Sequence, residues 1–252
     1  ENMITICSPV EYSYVSEQIS LLCEEAVSCW QQFLLNYYTD PYLANVHFTL
    51  GLLKTVQGRV AEAMPEYKMV ANRFTNSNLA SAALMNSAKL KIGLQDYPGA
   101  YEDLKEVVEQ YPDYEEIGRA NLSLADTAFR MGYNEEAAKL YAKVYYLNNA
   151  VSTQSAAALA VGQIFYHVQD YVNAEKWFTR YLTLKKDNKN DQFYQVCLLL
   201  GKTWQALGNS QSACDALRTS LSGHLPQKDF VEAVSVLSEA YIAQGNFLQV
   251  IH

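Results

Sequence analysis

The chain has 252 residues, a formal net charge of −8 and 50% hydrophobic residues, with 19 tyrosines. That is too apolar for an intrinsically disordered chain. No stripe of Lys and Arg stands out, so no nucleic-acid footprint is expected. No apolar run reaches the roughly 18 residues of a membrane span, so no membrane span is expected. The five cysteines, Cys7, Cys23, Cys29, Cys197 and Cys214, form no Cys-x-x-Cys pair, which argues against a zinc site or a disulfide framework. Cys197 and Cys214 could face each other across one hairpin, but two small buried apolar side chains are the favoured reading. Unpaired cysteines lean toward a cytoplasmic or other reducing compartment, with a periplasmic one as the alternative. The first residues, Glu1-Asn2-Met3-Ile4, have no basic stretch before an apolar block and so are not an intact signal peptide. The missing initial Met and the ending inside a helical pattern predict a chain that continues past Glu1 and His252.

Residues 1–43 read as an N-terminal helical segment, a degenerate repeat or cap. Pro9 follows Ser8 at a helix start, and Leu22, Ala26, Trp30, Phe33 and Tyr37 recur at three- and four-residue steps. Thr39-Asp40-Pro41 stops the pattern. From there an alanine marks a period. Ala26, Ala63, Ala100, Ala137, Ala174 and Ala213, with Val250 in the last slot, are separated by 37, 37, 37, 37, 39 and 37 residues. A fixed step of this size signals a repeat architecture.

Residues 44–252 therefore read as an array of about five full helix-turn-helix repeats and a truncated sixth. The repeats cover about 44–78, 81–112, 118–150, 155–186 and 194–226, and the sixth starts near Val231. Each is two antiparallel helices joined by a short turn. Gly58, Gly132, Gly208 and Gly245 mark turns where a positive φ ends a helix. A small residue on the first helix (Gly51, Ala88, Ala125, Gly162, Gly201) lets the second approach. A large residue four positions after the marker alanine fills the space between neighbours. Pro65 falls inside a second helix, where a tolerated bend is expected. The run Lys185–Asp191 is a solvated connection that accounts for the 39-residue step.

These residues resemble the tetratricopeptide repeat. Gly162, Tyr171, Ala174 and Phe178 match the family pattern in one repeat, Leu124, Gly132, Ala137 and Tyr141 in another, and Leu200, Gly201, Gly208 and Ala213 in a third. Two features depart from it. The period is mostly 37 where the family's usual value is about 34, and the aromatic that opens the family's first helix is absent. The resemblance implies an all-α, right-handed superhelical solenoid whose inner groove, lined by first helices, binds a peptide or partner protein. Mapping the family's groove positions gives Phe48 and Leu52, then Met85 and Lys89, then Arg119, Leu122, Asp126 and Arg130. The later ones are Gln163, Tyr166 and His167, then Lys202 and Gln205. Phe48 and Leu52 stand where the chaperone-binding members carry a Lys and Asn for a C-terminal carboxylate, which disfavours that clamp.

No catalytic constellation emerges. The four histidines lack metal-ligand partners at helical spacing, and neither a phosphate loop nor a nucleophile elbow is present. His167, three residues from Asp170, sits at a helix end where capping is the simpler role. Asn121-Leu122-Ser123 matches a glycosylation acceptor but falls inside a helix. No metal and no cofactor are expected. The expectation is a non-catalytic interaction scaffold, a segment of a larger assembly, with self-association through end repeats as a further option. The alternatives are a bacterial cell-envelope assembly factor and the non-catalytic half of a larger enzyme.

Overall fold

The computed structural model describes residues 9–147 and 150–246, with side chains from residue 20 onward. Among the described residues every regular element is a helix. The first is α1 (Pro9–Asn36), a single 28-residue helix. Then come α2 (Leu43–Val56), α3 (Val60–Arg73), α4 (Ala80–Gly93), α5 (Tyr97–Gln110), α6 (Ile117–Arg130) and α7 (Asn134–Leu147). They are followed by α8 (Val151–His167), α9 (Tyr171–Lys185), α10 (Asp191–Ala206), α11 (Ser210–Leu221) and α12 (Gln227–Ala243). The chain divides into two compact units, Glu1–Ile117 and Gly118–His252. Cys7, Val250 and His252 lie outside the described residues.

The 37-residue step is the pitch of one helix pair, and the turn inside each pair is built the same way six times. The backbone N–H of Arg59 bonds to the carbonyl of Lys54 at 2.8 Å. Its equivalents at Asp96, Tyr133, Asp170, Asn209 and Asn246 bond back five residues at 2.8–2.9 Å. This closure needs the preceding residue in the left-handed region. Glycine supplies it at Gly58, Gly132, Gly208 and Gly245, but Gln95 and Gln169 hold φ of 63° and 62°. In those two turns the next residue is an aspartate that caps the following helix. Asp96 accepts from the Gly99 N–H and Asp170 from the Asn173 N–H, both at 3.1 Å. A left-handed glutamine costs about 1–2 kcal/mol, and glycine returns part of that gain as unfolded-state entropy. Gln95→Gly and Gln169→Gly are each expected to stabilise the protein by about 0.5–1 kcal/mol, read as a raised denaturation midpoint at unchanged m-value.

The marker alanines Ala63, Ala100, Ala137, Ala174 and Ala213 are all fully buried. Ala26 is not; it is half-buried on α1, and its neighbour Val27 takes the core position against Val46 and Leu50. Four residues beyond each buried alanine stands Tyr67, Leu104, Tyr141, Phe178 or Leu217, all buried. Three of these press directly on the small residue of the first helix. A Cβ on Gly51 would lie 2.7 Å from the Tyr67 ring, one on Gly162 2.6 Å from Phe178, and one on Gly201 2.6 Å from Leu217. The small residue thus makes room for the large side chain as much as for the helix that carries it. α3 continues unbroken through Pro65, which lies in its second turn.

Two second helices also carry a carboxylate that reaches back to a first-helix lysine. Lys54 Nζ lies 2.7 Å from Glu66, and Lys91 Nζ lies 2.6 Å from Asp103. Each carboxylate takes a second donor or partner from the same first helix. His47 Nδ1 sits 2.7 Å from Glu66, and the Ser87 hydroxyl donates to Asp103 at 2.7 Å. These pairs occupy equivalent positions one repeat apart. Burial works to raise the Glu66 pKa, but the hydrogen bonds from His47 and Lys54 outweigh it and hold the carboxyl below its ordinary range.

Candidate functional site: the exposed face of the first helices

Phase along the first helices separates two rows that a sequence reading merges. One row is Phe48, Met85, Leu122, Leu159 and Leu198, apolar in five successive repeats. Its members pack. Met85 is only 2% exposed and Leu198 is buried, while Phe48, Leu122 and Leu159 are half-buried. Phe48 meets the Tyr67 ring edge-on at 5.9 Å and joins the cluster of Ala63, Tyr67 and Val70. Met85 is therefore a core residue and not a groove contact, because its register faces packed neighbours.

The second row, four residues on, reaches solvent. In the first unit it comprises Leu52, 41% exposed, and the exposed Lys89. In the second unit it runs Asp126, Gln163, Lys202 and Glu239, all exposed except the half-buried Lys202. Three residues beyond stand Phe129, 42% exposed, and the half-buried Tyr166 and Gln205. Arg119, Arg130 and His167 are exposed at helix ends. Asp126 accepts a short hydrogen bond from the Tyr141 hydroxyl. Burial first, and Asp126 beside it, push that phenol above its ordinary range, so Tyr141 stays protonated and donates.

The structure brings Tyr166 and Lys202 together and adds a residue that sequence reading missed. Lys202 Nζ lies 5.5 Å from the Tyr166 ring centroid and 2.5 Å from Glu232 of α12. Burial of the ammonium opposes its charge. The hydrogen bond to Glu232, with Tyr166 alongside, more than offsets this and raises the Lys202 pKa. One cation thus ties α8, α10 and α12 together on their exposed face. Gln195 and Asp229 repeat the α10–α12 link with a 3.2 Å hydrogen bond. Glu232 sits in no fixed register with Lys202, so the period carries no signal for it. Gln205 Oε1 is buried with no hydrogen-bond partner on this same helix face.

Among the described residues no cluster of His, Cys, Asp and Glu could hold a metal ion, and no helix is long and apolar enough to cross a membrane. Cys197 and Cys214 are both buried and free. Burial pushes the Cys197 thiol up to about 12 and raises Cys214 as well, so both are protonated at neutral pH. Asn121 is buried on α6, which removes it as a glycosylation acceptor in the folded chain. His167 ends α8, while Asp170 takes the backbone N–H and side-chain amide of Asn173.

Comparison with known proteins agrees with this geometry. Tetratricopeptide repeat family models match residues 82–114 and 118–151. No curated protein matches the chain by sequence. Among solved structures, MamA is similar at 19% identity and a TM-score of 0.57, over 69% of this chain and 88% of that one. YrrB, described as a tetratricopeptide repeat protein with an unusual peptide-binding site, is similar at 13% identity and a TM-score of 0.59, over 82% and 96%. A tetratricopeptide repeat protein from Parabacteroides merdae is similar at 15% identity and a TM-score of 0.55, over 93% and 84%. At these identities the likeness is one of fold. With the family models, the six turns closed by the same hydrogen bond and the five buried alanines pointing the same way, the chain carries tetratricopeptide repeats at residues 82–114 and 118–151, within an array of helix pairs.

Proposed function

We propose that the chain is a non-catalytic protein-interaction scaffold, one segment of a larger assembly, that receives an extended or helical segment of a partner protein. The receiving surface is the exposed face of α6, α8, α10 and α12. The observation that carries this reading is the composition of that face. It sets Phe129 and Tyr166 as apolar anchors among Arg119, Asp126, Arg130 and Gln163, and locks Lys202 in place by cross-helix contacts. Apolar anchors with charged orienters suit recognition of a peptide or helix.

The test is affinity capture with the wild-type protein beside the double variant Arg119→Glu with Arg130→Glu. A partner held by the wild type is expected to be lost from the variant, by tenfold or more in affinity, with helical content by circular dichroism unchanged. Equal capture by both proteins would sink the assignment to this face.

A further inference from the structure

A second surface lies among α7, α8 and α9. Here Ala138 and Ala142 of α7, Ile164, Phe165 and Val168 of α8, and Trp177 of α9 line an open slot of about 540 Å³. The corresponding slot two repeats earlier, among α3, α4 and α5, has a similar volume of about 490 Å³ but a polar lining. There the positions equivalent to Val161, Phe165 and Trp177 are Ser87, Lys91 and Asp103, and the Asp103 carboxylate accepts from both Ser87 and Lys91. The fold therefore tolerates a polar, self-satisfied slot, and nothing in the repeat geometry requires the apolar one. Val168 is 49% exposed at its mouth.

The charge at the rim is specific as well. Arg180, one turn beyond Trp177 on α9, holds its guanidinium 4.3 Å from the Trp177 ring centroid and 5.8 Å from those of Tyr145 and Tyr146. Among the described residues no carboxylate pairs with it. The acid on the opposite lip, Glu135, is taken by Lys139 at 2.6 Å. The uncompensated charge beside this slot is thus positive, in a protein whose net charge is −8. Three aromatic rings hold the guanidinium in place, so little freedom is lost when a carboxylate arrives.

We infer that this slot docks an acidic amphipathic helix of a partner protein. Its apolar side chains enter between α7 and α9, and a carboxylate about one turn away pairs with Arg180. The volume accepts two or three large aliphatic side chains, as anchors in helix-in-groove recognition require. This surface is separate from the first-helix face proposed above.

The experiment measures fluorescence anisotropy with two synthetic helical peptides of equal length, one built of Leu and Glu, the other of Leu and Lys. The Leu/Glu peptide is expected to bind the wild type at least tenfold more tightly. Val168→Asp, a change at an exposed position, should weaken it at least tenfold, and Arg180→Glu should reverse the preference between the peptides. The Arg119→Glu with Arg130→Glu protein should bind the Leu/Glu peptide as the wild type does. The proposal is overturned if neither peptide binds, if both bind equally, or if binding ignores Val168→Asp and Arg180→Glu. Loss of binding in the Arg119→Glu with Arg130→Glu protein would also overturn it, by placing the peptide on the other face.

Discussion

Phe178→Ala is expected to destabilise the second unit by about 3–5 kcal/mol, the cost of emptying a fully buried aromatic position. The site cannot collapse easily, because the ring is packed against the backbone of α8 at Gly162. Gly162→Ala alone places a methyl 2.6 Å from that ring and should cost about 1–3 kcal/mol through overpacking, partly offset by alanine's better helix propensity. The two sites should compensate. The second repeat uses alanine opposite leucine, Ala88 with Leu104, where the fourth uses glycine opposite phenylalanine. Gly162→Ala combined with Phe178→Leu re-creates the second-repeat combination. A double-mutant cycle by chemical denaturation should show favourable coupling of about 1 kcal/mol or more. Strict additivity would mean the two side chains do not share one space.

The second large effect concerns Glu66. Removing it leaves Lys54, only 6% exposed, as a cation without its carboxylate. Glu66→Ala is expected to cost about 2–4 kcal/mol, and adding Lys54→Met should recover most of the loss, because an apolar side chain has no charge to strand. The pair also sets an acid limit. The folded-state pKa of Glu66 lies below its ordinary value, so its contribution is present above the unfolded carboxyl's pKa of about 4.3 and is lost as pH falls through the folded value. Glu66→Gln should flatten that part of the stability-against-pH curve. An unchanged acid limb would assign it to other carboxylates.

The period was legible because it rests on sterics that recur in every repeat. A small residue must oppose a large one, and a left-handed residue must close each turn. Glycine in four turns revealed the rule, yet Gln95 and Gln169 obey it without revealing it, since a glutamine in sequence says nothing about φ. The exposure of the first-helix faces was half legible. The row Asp126, Gln163, Lys202 and Glu239 is polar and reaches solvent, as its register suggests. Met85 was misplaced because one helix face grades into the next within a single residue. The signal that could have separated the rows was the unbroken run of apolar residues at Phe48, Met85, Leu122, Leu159 and Leu198. Glu232 was beyond reach, because its pair with Lys202 joins two different repeats at a spacing of its own. The lysine–carboxylate pairs, by contrast, keep one spacing, Lys54 with Glu66 and Lys91 with Asp103, and could have been read from the alignment of repeats.

Those two pairs have a consequence for how such a chain can change length. Lys54 with Glu66 and Lys91 with Asp103 each lie inside one repeat, so a cut-and-paste of one whole repeat carries each of these lysines together with its carboxylate. Duplication or excision of a whole repeat in that region keeps each of these pairs intact, whereas exchange of a single helix strands an ammonium or a carboxylate. Lys202 and Glu232 follow the opposite rule, since they sit in different repeats. A cut between α10 and α12 separates them. In the early repeats the lysine–carboxylate pairing is thus internal to each repeat, while at α10–α12 it is a matched seam between two.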